Sequence, residues 1–366
     1  MATFDVLVLP GDGIGPEVTG AAQRVLDAVG RKWKHTFRYS TDLVGGSAID
    51  AFGMPLREET VRAARRADAV LFGAVGGPKW DDAPVRPEAA ILGLRKGMGV
   101  YANIRPVKVY PGMEDASPLK NERIRGADLV IIRELTGGLY YGKPKRRWTT
   151  KAGRKGVDTL LYTEKEIERI LRVGFELART RRRKLTSVDK ANVLESSRLW
   201  RDVANEVGRE YPDVELDHQL VDSCAMLLVT QPTRYDVMVM GNIFGDILSD
   251  EAAVLTASLG MLPSASLAGL PSAGDGQRRR KMRGFYEPVH GSAPDIAGTG
   301  KANPIGAILS AGFMLEYSFG LREEAAAVAV AVELALKDGH RTADLAPAGA
   351  EFSTTRHMTD VIIERL

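Results

Sequence analysis

Apolar positions recur along this chain with two periods that take turns. Residues 4–9 form a strand-like run. The glycine-rich turn 11–16 then leads into a helical spacing through Val18, Ala22, Val25, Leu26 and Val29. The alternation returns as a strand over 37–41, a helix over 56–67 and an apolar strand over 69–72 that ends in the glycine-rich stretch 73–78. Further apolar strands are predicted over 129–132, 185–188 and Val237–Met240, separated by helices over 163–180 and 193–211. An alanine-rich helix, Arg322–Lys337, has Glu323 and Glu324 in its first turn and Gly339 beyond its end. Strands alternating with helices predict an α/β fold with helices covering a sheet. Two stretches, 142–156 and 270–284, read as long loops, and no internal repeat breaks the pattern.

Composition changes this picture little. With 366 residues, the chain is long enough for two domains or one large one, and at 44% hydrophobic and 27% charged it matches an ordinary globular protein. One cysteine, Cys224, cannot form an internal disulfide, which fits a reducing cytoplasm. No run approaches the ~20 apolar residues of a membrane span, and 4–9 is too short for the core of a secretory signal. The expectation is a protein neither exported nor inserted. A net charge of +3 leaves nucleic-acid binding resting on two basic runs, 181–184 and 278–281, which lack interleaved aromatics and read better as solvated faces.

Several segments carry candidate chemistry. The turn Gly11-Asp12-Gly13-Ile14-Gly15-Pro16 does not have the G-x-G-x-x-G spacing of a Rossmann phosphate loop, and proline at the first helical position accounts for it as a tight turn. In Asn242-Ile243-Phe244-Gly245-Asp246-Ile247-Leu248-Ser249-Asp250 two aspartates four apart share a helix face, where like charges repel unless a cation lies between them. Oxygen ligands favour Mg²⁺ or Mn²⁺. Arg95, Arg105 and Arg133 lie in apolar or glycine-rich surroundings, and their forked guanidiniums suit a small di- or tricarboxylate. Each alone reads equally as the partner of a structural acid, Glu134 in the case of Arg133. Tyr140, on a glycine-rich bend, and Lys190, just after a strand, are candidate proton-transfer groups. The loop Glu287-Pro288-Val289-His290-Gly291-Ser292-Ala293-Pro294-Asp295 is small enough for the close approach of a nucleotide.

Taken in order, GDGIGPEV, GAVGGPKWD, LRKG, YANIRP, RELTGGLYYG, SVDKANVLESS, NIFGDILSDEA and EPVHGSAPDIAG resemble the β-decarboxylating dehydrogenase family over nearly the whole chain. The resemblance implies a two-domain α/β fold that is not a Rossmann fold. Domain one would comprise 1–100 and 257–366 and domain two 101–256, with the active site in the cleft between them. It also implies a homodimer with shared sites, acting on a small molecule without nucleic acid or membrane.

Position by position, Arg95, Arg105 and Arg133 would hold the malate carboxylates. Asp246 and Asp250, with Asp222 of the partner subunit, would bind Mg²⁺ or Mn²⁺, and Tyr140 and Lys190 of the partner subunit would move protons. Glu88, Asn192, Glu287, His290, Gly291, Ser292, Ala293, Asp295 and Asn303 would contact NAD. Asp295 would accept from ribose hydroxyls and repel a 2′-phosphate. Apolar Ile91, Leu92 and Val193 match the positions facing the third substituent and imply 3-isopropylmalate. Homoisocitrate, tartrate or D-malate are the alternatives. The basic segment 142–156 would lie in an intersubunit arm. Met240, and Ser223 with Cys224, depart from the family's usual residues, and 273–283 is longer and more basic than usual.

Overall fold

The computed structural model describes residues 1–270 and 282–366. The basic run 278–281, and all but the end of the basic segment 273–283, therefore lie outside the described residues. Among the described residues there are twelve strands: β1 (Thr3–Gly11), β2 (Thr36–Thr41), β3 (Ala69–Ala74), β4 (Ala102–Lys108), β5 (Asp128–Glu134), β6 (Arg146–Thr150), β7 (Gly153–Val157), β8 (Lys184–Asp189), β9 (Glu215–Leu220), β10 (Val237–Met240), β11 (Pro263–Leu267) and β12 (Gly284–Pro288). Ten of them form one sheet in the order β2-β1-β3-β12-β11-β4-β5-β10-β8-β9. The four strands from β2 to β12 run parallel, as do the four from β5 to β9. Between these wings, β12–β11, β11–β4 and β4–β5 are antiparallel pairs, so the two wings point in opposite directions. The division expected at 100/101 and 256/257 falls between β11 and β4, which are paired neighbours in this sheet.

Strand alternation decides where the site forms. Val6, Val8, Leu71, Tyr286, Ala265, Ile104, Ile132 and Val239 point to one face, where a single apolar core runs unbroken beneath both wings. Helices Gly15–Trp33, Ile305–Phe313, Arg322–Lys337 and Thr355–Glu364 cover it under the first wing, and Glu164–Arg179 and Glu195–Gly208 under the second.

On the other face there are two separate clusters. Leu7, Leu9, Val70, Phe72 and Phe285 pack with helix Ala89–Met98, while Ile131, Met238, Met240 and Val188 pack with helices Val221–Thr230 and Asn242–Ala253. Between them the register places Ser264, Ser266, Asn103, Arg105, Arg133 and Glu287 on that face, all of them buried. The gap in the apolar cover is therefore lined by polar side chains that stand on the sheet itself.

Segment 142–156, expected to be a loop, is instead an antiparallel hairpin of β6 and β7, registered from Arg146↔Val157 to Thr150↔Gly153. Its strands are largely exposed, and their basic residues obscure the alternation. A two-stranded ribbon with little apolar cover is marginal alone. Helix Glu195–Gly208 starts two residues later than its apolar spacing suggests, which leaves Val193 outside it. Helix Glu164–Arg179 begins with a capping box: the Thr163 hydroxyl accepts from Glu166 N and the Glu166 carboxylate accepts from Thr163 N.

Candidate active site

Arg133 is the last-but-one residue of β5 and is 3% exposed. Its Nε donates to Asn242 Oδ1 at 2.9 Å and its Nη1 to Asp246. Glu134, one residue on, points through the sheet to the opposite face, where it accepts from Thr136 N, Gly137 N and Arg169. The structural partner suggested by adjacency is thus excluded by the two-residue period of a strand. Arg105, in the middle of β4, donates from Nε to Asn103 Oδ1 and from Nη1 to Ser249 Oγ, both at 2.6 Å, with Asp250 3.6 Å away. Arg95, from helix Ala89–Met98, donates Nη2 to Glu287 at 2.5 Å, while its buried Nε has no partner.

The electrostatics follow from three guanidiniums beside three carboxylates in low dielectric. Burial, with Arg133 and Arg95 nearby, pushes Arg105 down to about 10, which leaves it charged at neutral pH. Burial and Arg95 also lower Arg133. Burial alone would raise Asp246, but Arg133, Tyr140, Arg105 and Arg95 outweigh it and hold the carboxyl below its ordinary value. Asp250, one turn later, is raised by burial. Tyr140 sits in a short turn, Gly138–Tyr140, and donates to Asp246 Oδ2 at 2.6 Å. Burial and this carboxylate push its hydroxyl up to about 12, so it carries a proton at neutral pH.

Lys190 and Asp222 form a pair of their own at 2.7 Å, at the end of β8 and the start of helix Val221–Thr230. Among the described residues no three acidic, histidine or cysteine side chains gather as a metal site, so Asp222 does not join Asp246 and Asp250 within one chain. Asn192 and Val193 are exposed beside Lys190, Val193 by 63%. Ile91 and Leu92 lie half-buried on helix Ala89–Met98. The chain thus presents two sets: a deep one around Arg95, Arg105, Arg133, Tyr140, Asp246 and Asp250, and an open one around Lys190, Asn192, Val193 and Asp222.

The loop after β12 packs on the first turn of the chain. Ser292 O accepts from Ile14 N at 2.8 Å, and a Cβ at Gly13 would stand 2.0 Å from that oxygen. Gly291 faces open space, Ala293 adopts φ 38°, Asp295 is exposed, and His290 is held below its ordinary value by burial. Asn303 Oδ1 accepts from Ile305 N, and its Nδ2 donates to Asp344. Glu88 borders Gly76, whose loop is fixed by Asp12. The Asp12 carboxylate accepts from Gly46 N, Ser47 N and Gly76 N at 2.7–2.9 Å. Asn103, Tyr162 and the side-chain role of Asn242 do not stand out in the sequence, and neither does Asp12. Its position between two glycines that need positive φ was the available signal.

Of the departures noted, Met240 is buried in the apolar cluster beneath helix Asn242–Ala253, and the Ser223 hydroxyl donates to Leu220 O. Three residues of the basic run 181–184 are paired: Arg181 with Asp128 and Asp236, Arg182 with Asp236, and Lys184 with Glu215. Among the described residues no helix is long and apolar enough to cross a membrane.

Residues 5–362 match the isocitrate/isopropylmalate dehydrogenase family. The 3-isopropylmalate dehydrogenase of Halalkalibacterium halodurans is 57% identical over 99% of this chain and 97% of its own. That of Anaeromyxobacter dehalogenans is 54% identical over 99% of both. Among solved structures, isocitrate dehydrogenase from Methylococcus capsulatus superposes with a TM-score of 0.85 at 34% identity, covering 99% of each chain. The β-decarboxylating dehydrogenase of Thermococcus kodakarensis gives 0.76 at 37%, covering 99% of this chain and 96% of its own. With its α/β sheet and its polar gap of arginines and aspartates, the chain belongs to the isocitrate/isopropylmalate dehydrogenase family.

Proposed function

We propose that the chain catalyses the NAD-dependent oxidative decarboxylation of 3-isopropylmalate, a step of leucine biosynthesis, in sites shared between two copies and set in the cleft between two domains divided near 100/101 and 256/257. One observation carries this reading: three buried guanidiniums, one with an unpartnered Nε, stand opposite Asp246 and Asp250. An orphaned buried donor costs free energy unless a ligand accepts from it, and a carboxylate of the substrate fits that need. The names of the relatives support the substrate.

The residues suit the groups this reaction requires. Asp246 and Asp250, one helical turn apart, offer the oxygen donors a hard dication prefers, and Asp222 of the partner subunit would complete the set. The open space at Gly291 and the exposed carboxylate of Asp295 suit an adenosine ribose without a 2′-phosphate. When bound, NAD would supply the hydride acceptor and Mg²⁺ or Mn²⁺ a Lewis acid.

Arg95, Arg105 and Arg133 hold the two carboxylates. Lys190 of the partner subunit takes the hydroxyl proton, and Glu88 and Glu287, with Asn192 of the partner subunit, border the reacting end of the cofactor. Loss of the β-carboxylate as CO₂ leaves an electron pair on carbon, to which Tyr140 delivers its proton. Ile91 and Leu92, with Val193 of the partner subunit, meet the branched tail, and a third carboxylate there would be buried without a partner at a cost of several kcal/mol.

The test follows NADH absorbance with 3-isopropylmalate, homoisocitrate, tartrate and D-malate, each with Mg²⁺, with Mn²⁺ and with chelator. We expect 3-isopropylmalate to have the highest kcat/KM, chelation to abolish turnover, and NADP to be the poorer cofactor. A higher kcat/KM for another acid would overturn the substrate reading.

A further inference from the structure

We propose that Asn242 is a positioning residue that holds Arg133 and Tyr140 at a fixed offset above Asp246, with the Tyr162 hydroxyl as its anchor. The inference rests on the reaction proposed above but concerns a residue that touches none of the reacting groups there. Asn242 opens helix Asn242–Ala253 and is 1% exposed. Every hydrogen-bonding group it turns toward the site is used. Oδ1 accepts from Arg133 Nε at 2.9 Å, Nδ2 donates to Gly137 O at 3.2 Å, and the backbone N–H donates to Tyr162 Oη at 2.7 Å.

Two closed circuits result, and both start at Asn242 and end one helical turn later at Asp246. In the first, Arg133 is gripped at Nε by Asn242 and at Nη1 by Asp246, which fixes the guanidinium plane. In the second, Gly137 is tied to Asn242, and three residues on Tyr140 donates to Asp246 Oδ2 at 2.6 Å. A 3.6-residue turn brings Asn242 and Asp246 onto one helix face, so their separation is set by the helix rather than by any loop.

Packing leaves little room for this arrangement to drift. A Cβ at Gly245 would lie 2.7 Å from the Arg133 stem, so the helix rests directly on that side chain. Tyr162 is the pillar for both circuits. A Cβ at Gly137 or Gly138 would lie 2.6 Å from its ring or hydroxyl, and one at Gly241 3.1 Å from its hydroxyl. Its ring in turn packs edge-on against Trp200, with centroids 5.6 Å apart. An asparagine is required because both partners must be met at once: an acceptor for the guanidinium and a donor for the carbonyl.

The experiment compares Asn242→Ala, Asn242→Asp and wild type by steady-state kinetics and by crystal structures of the ligand-free proteins. Asn242→Asp keeps an acceptor for Arg133 but sets a carboxylate against Gly137 O. It should retain KM for the hydroxy diacid within about threefold while kcat falls by roughly 10- to 100-fold, the scale of a small misplacement. Asn242→Ala should lose both, with KM for NAD unchanged, a split that general loosening of the fold would not produce. In the Asn242→Ala crystal structure Tyr140 Oη should lie beyond hydrogen-bond reach of Asp246.

Wild-type kcat in Asn242→Ala, or an unchanged Tyr140–Asp246 contact, would each overturn the proposal. If Asn242→Ala does not fold, Asn242→Asp decides it in the same way. Failure of the wild type to turn over 3-isopropylmalate refutes the substrate reading alone, and the crystallographic comparison still decides this one.

Discussion

At the scale of single residues, the site depends on geometry that charge alone does not supply. Arg133 uses two edges of its fork, one on Asn242 and one on Asp246, and a lysine has only a point charge to offer. Arg133→Lys should therefore raise KM for 3-isopropylmalate at least tenfold, about 1.4 kcal/mol, while leaving KM for NAD unchanged; steady-state kinetics check it. Tyr140→Phe keeps the ring and removes the proton held up to about 12, and we expect kcat to fall by roughly 10²–10⁴ in the same assay.

The histidines make a separate prediction. Burial lowers His218, His290 and His340, helped at His218 by Arg201 and at His340 by Arg365 and His357. A histidine whose folded pKa lies below about 6.5 binds its proton more readily when unfolded. The stabilisation is therefore complete above 6.5 and lost as pH falls. Urea midpoints should be level from pH 8 to 7 and decline below about 6.5, and His218→Gln should flatten that decline.

At the scale of elements, the capping box of helix Glu164–Arg179 offers a local test. Thr163→Ala should cost about 1 kcal/mol in denaturant unfolding, with kcat unaltered. The same scale shows what sequence made legible. Strands β1, β3, β5, β8 and β10 and four of the helices over the apolar core followed from period, and Val237–Met240 and Arg322–Lys337 have the predicted bounds, whereas helices Ile305–Phe313 and Thr355–Glu364 of the same core did not stand out. Strands β4, β11 and β12 did not stand out, because the residues that line the site replace their apolar alternation: Asn103 and Arg105 in β4, Ser264 and Ser266 in β11, and Glu287 in β12. Pro106 also argued against a central strand. β11 pairs with β4 only as far as Ile104, so no neighbour on that side needs the missing N–H. The arginines and aspartates were legible as charges out of place. Asn242 and Tyr162 were not, since a neutral side chain reveals its role only through the partners that folding brings to it.

At the scale of the whole molecule, one chain carries Tyr140 in the deep set and Lys190 in the open set, and the proposed reaction needs both in one place. If two copies share their sites, mixing Lys190→Ala with Tyr140→Phe chains should restore activity. Random pairing makes half the dimers mixed, each with one intact site of two, so about a quarter of wild-type kcat per site is expected. No recovery after denaturation and refolding together would place both groups within one subunit.

The gap in the upper cover of the sheet has a consequence for how substrate preference can diverge. The guanidiniums proposed to grip the malate head stand mostly on β4 and β5, over a core that continues beneath them. Ile91 and Leu92, which would sense what distinguishes one malate from another, belong to helix Ala89–Met98, which lies outside the sheet. New specificity can arise by exchanging Ile91 and Leu92 on a covering helix, with Arg95 kept, while the reactive floor on β4 and β5 is inherited unchanged.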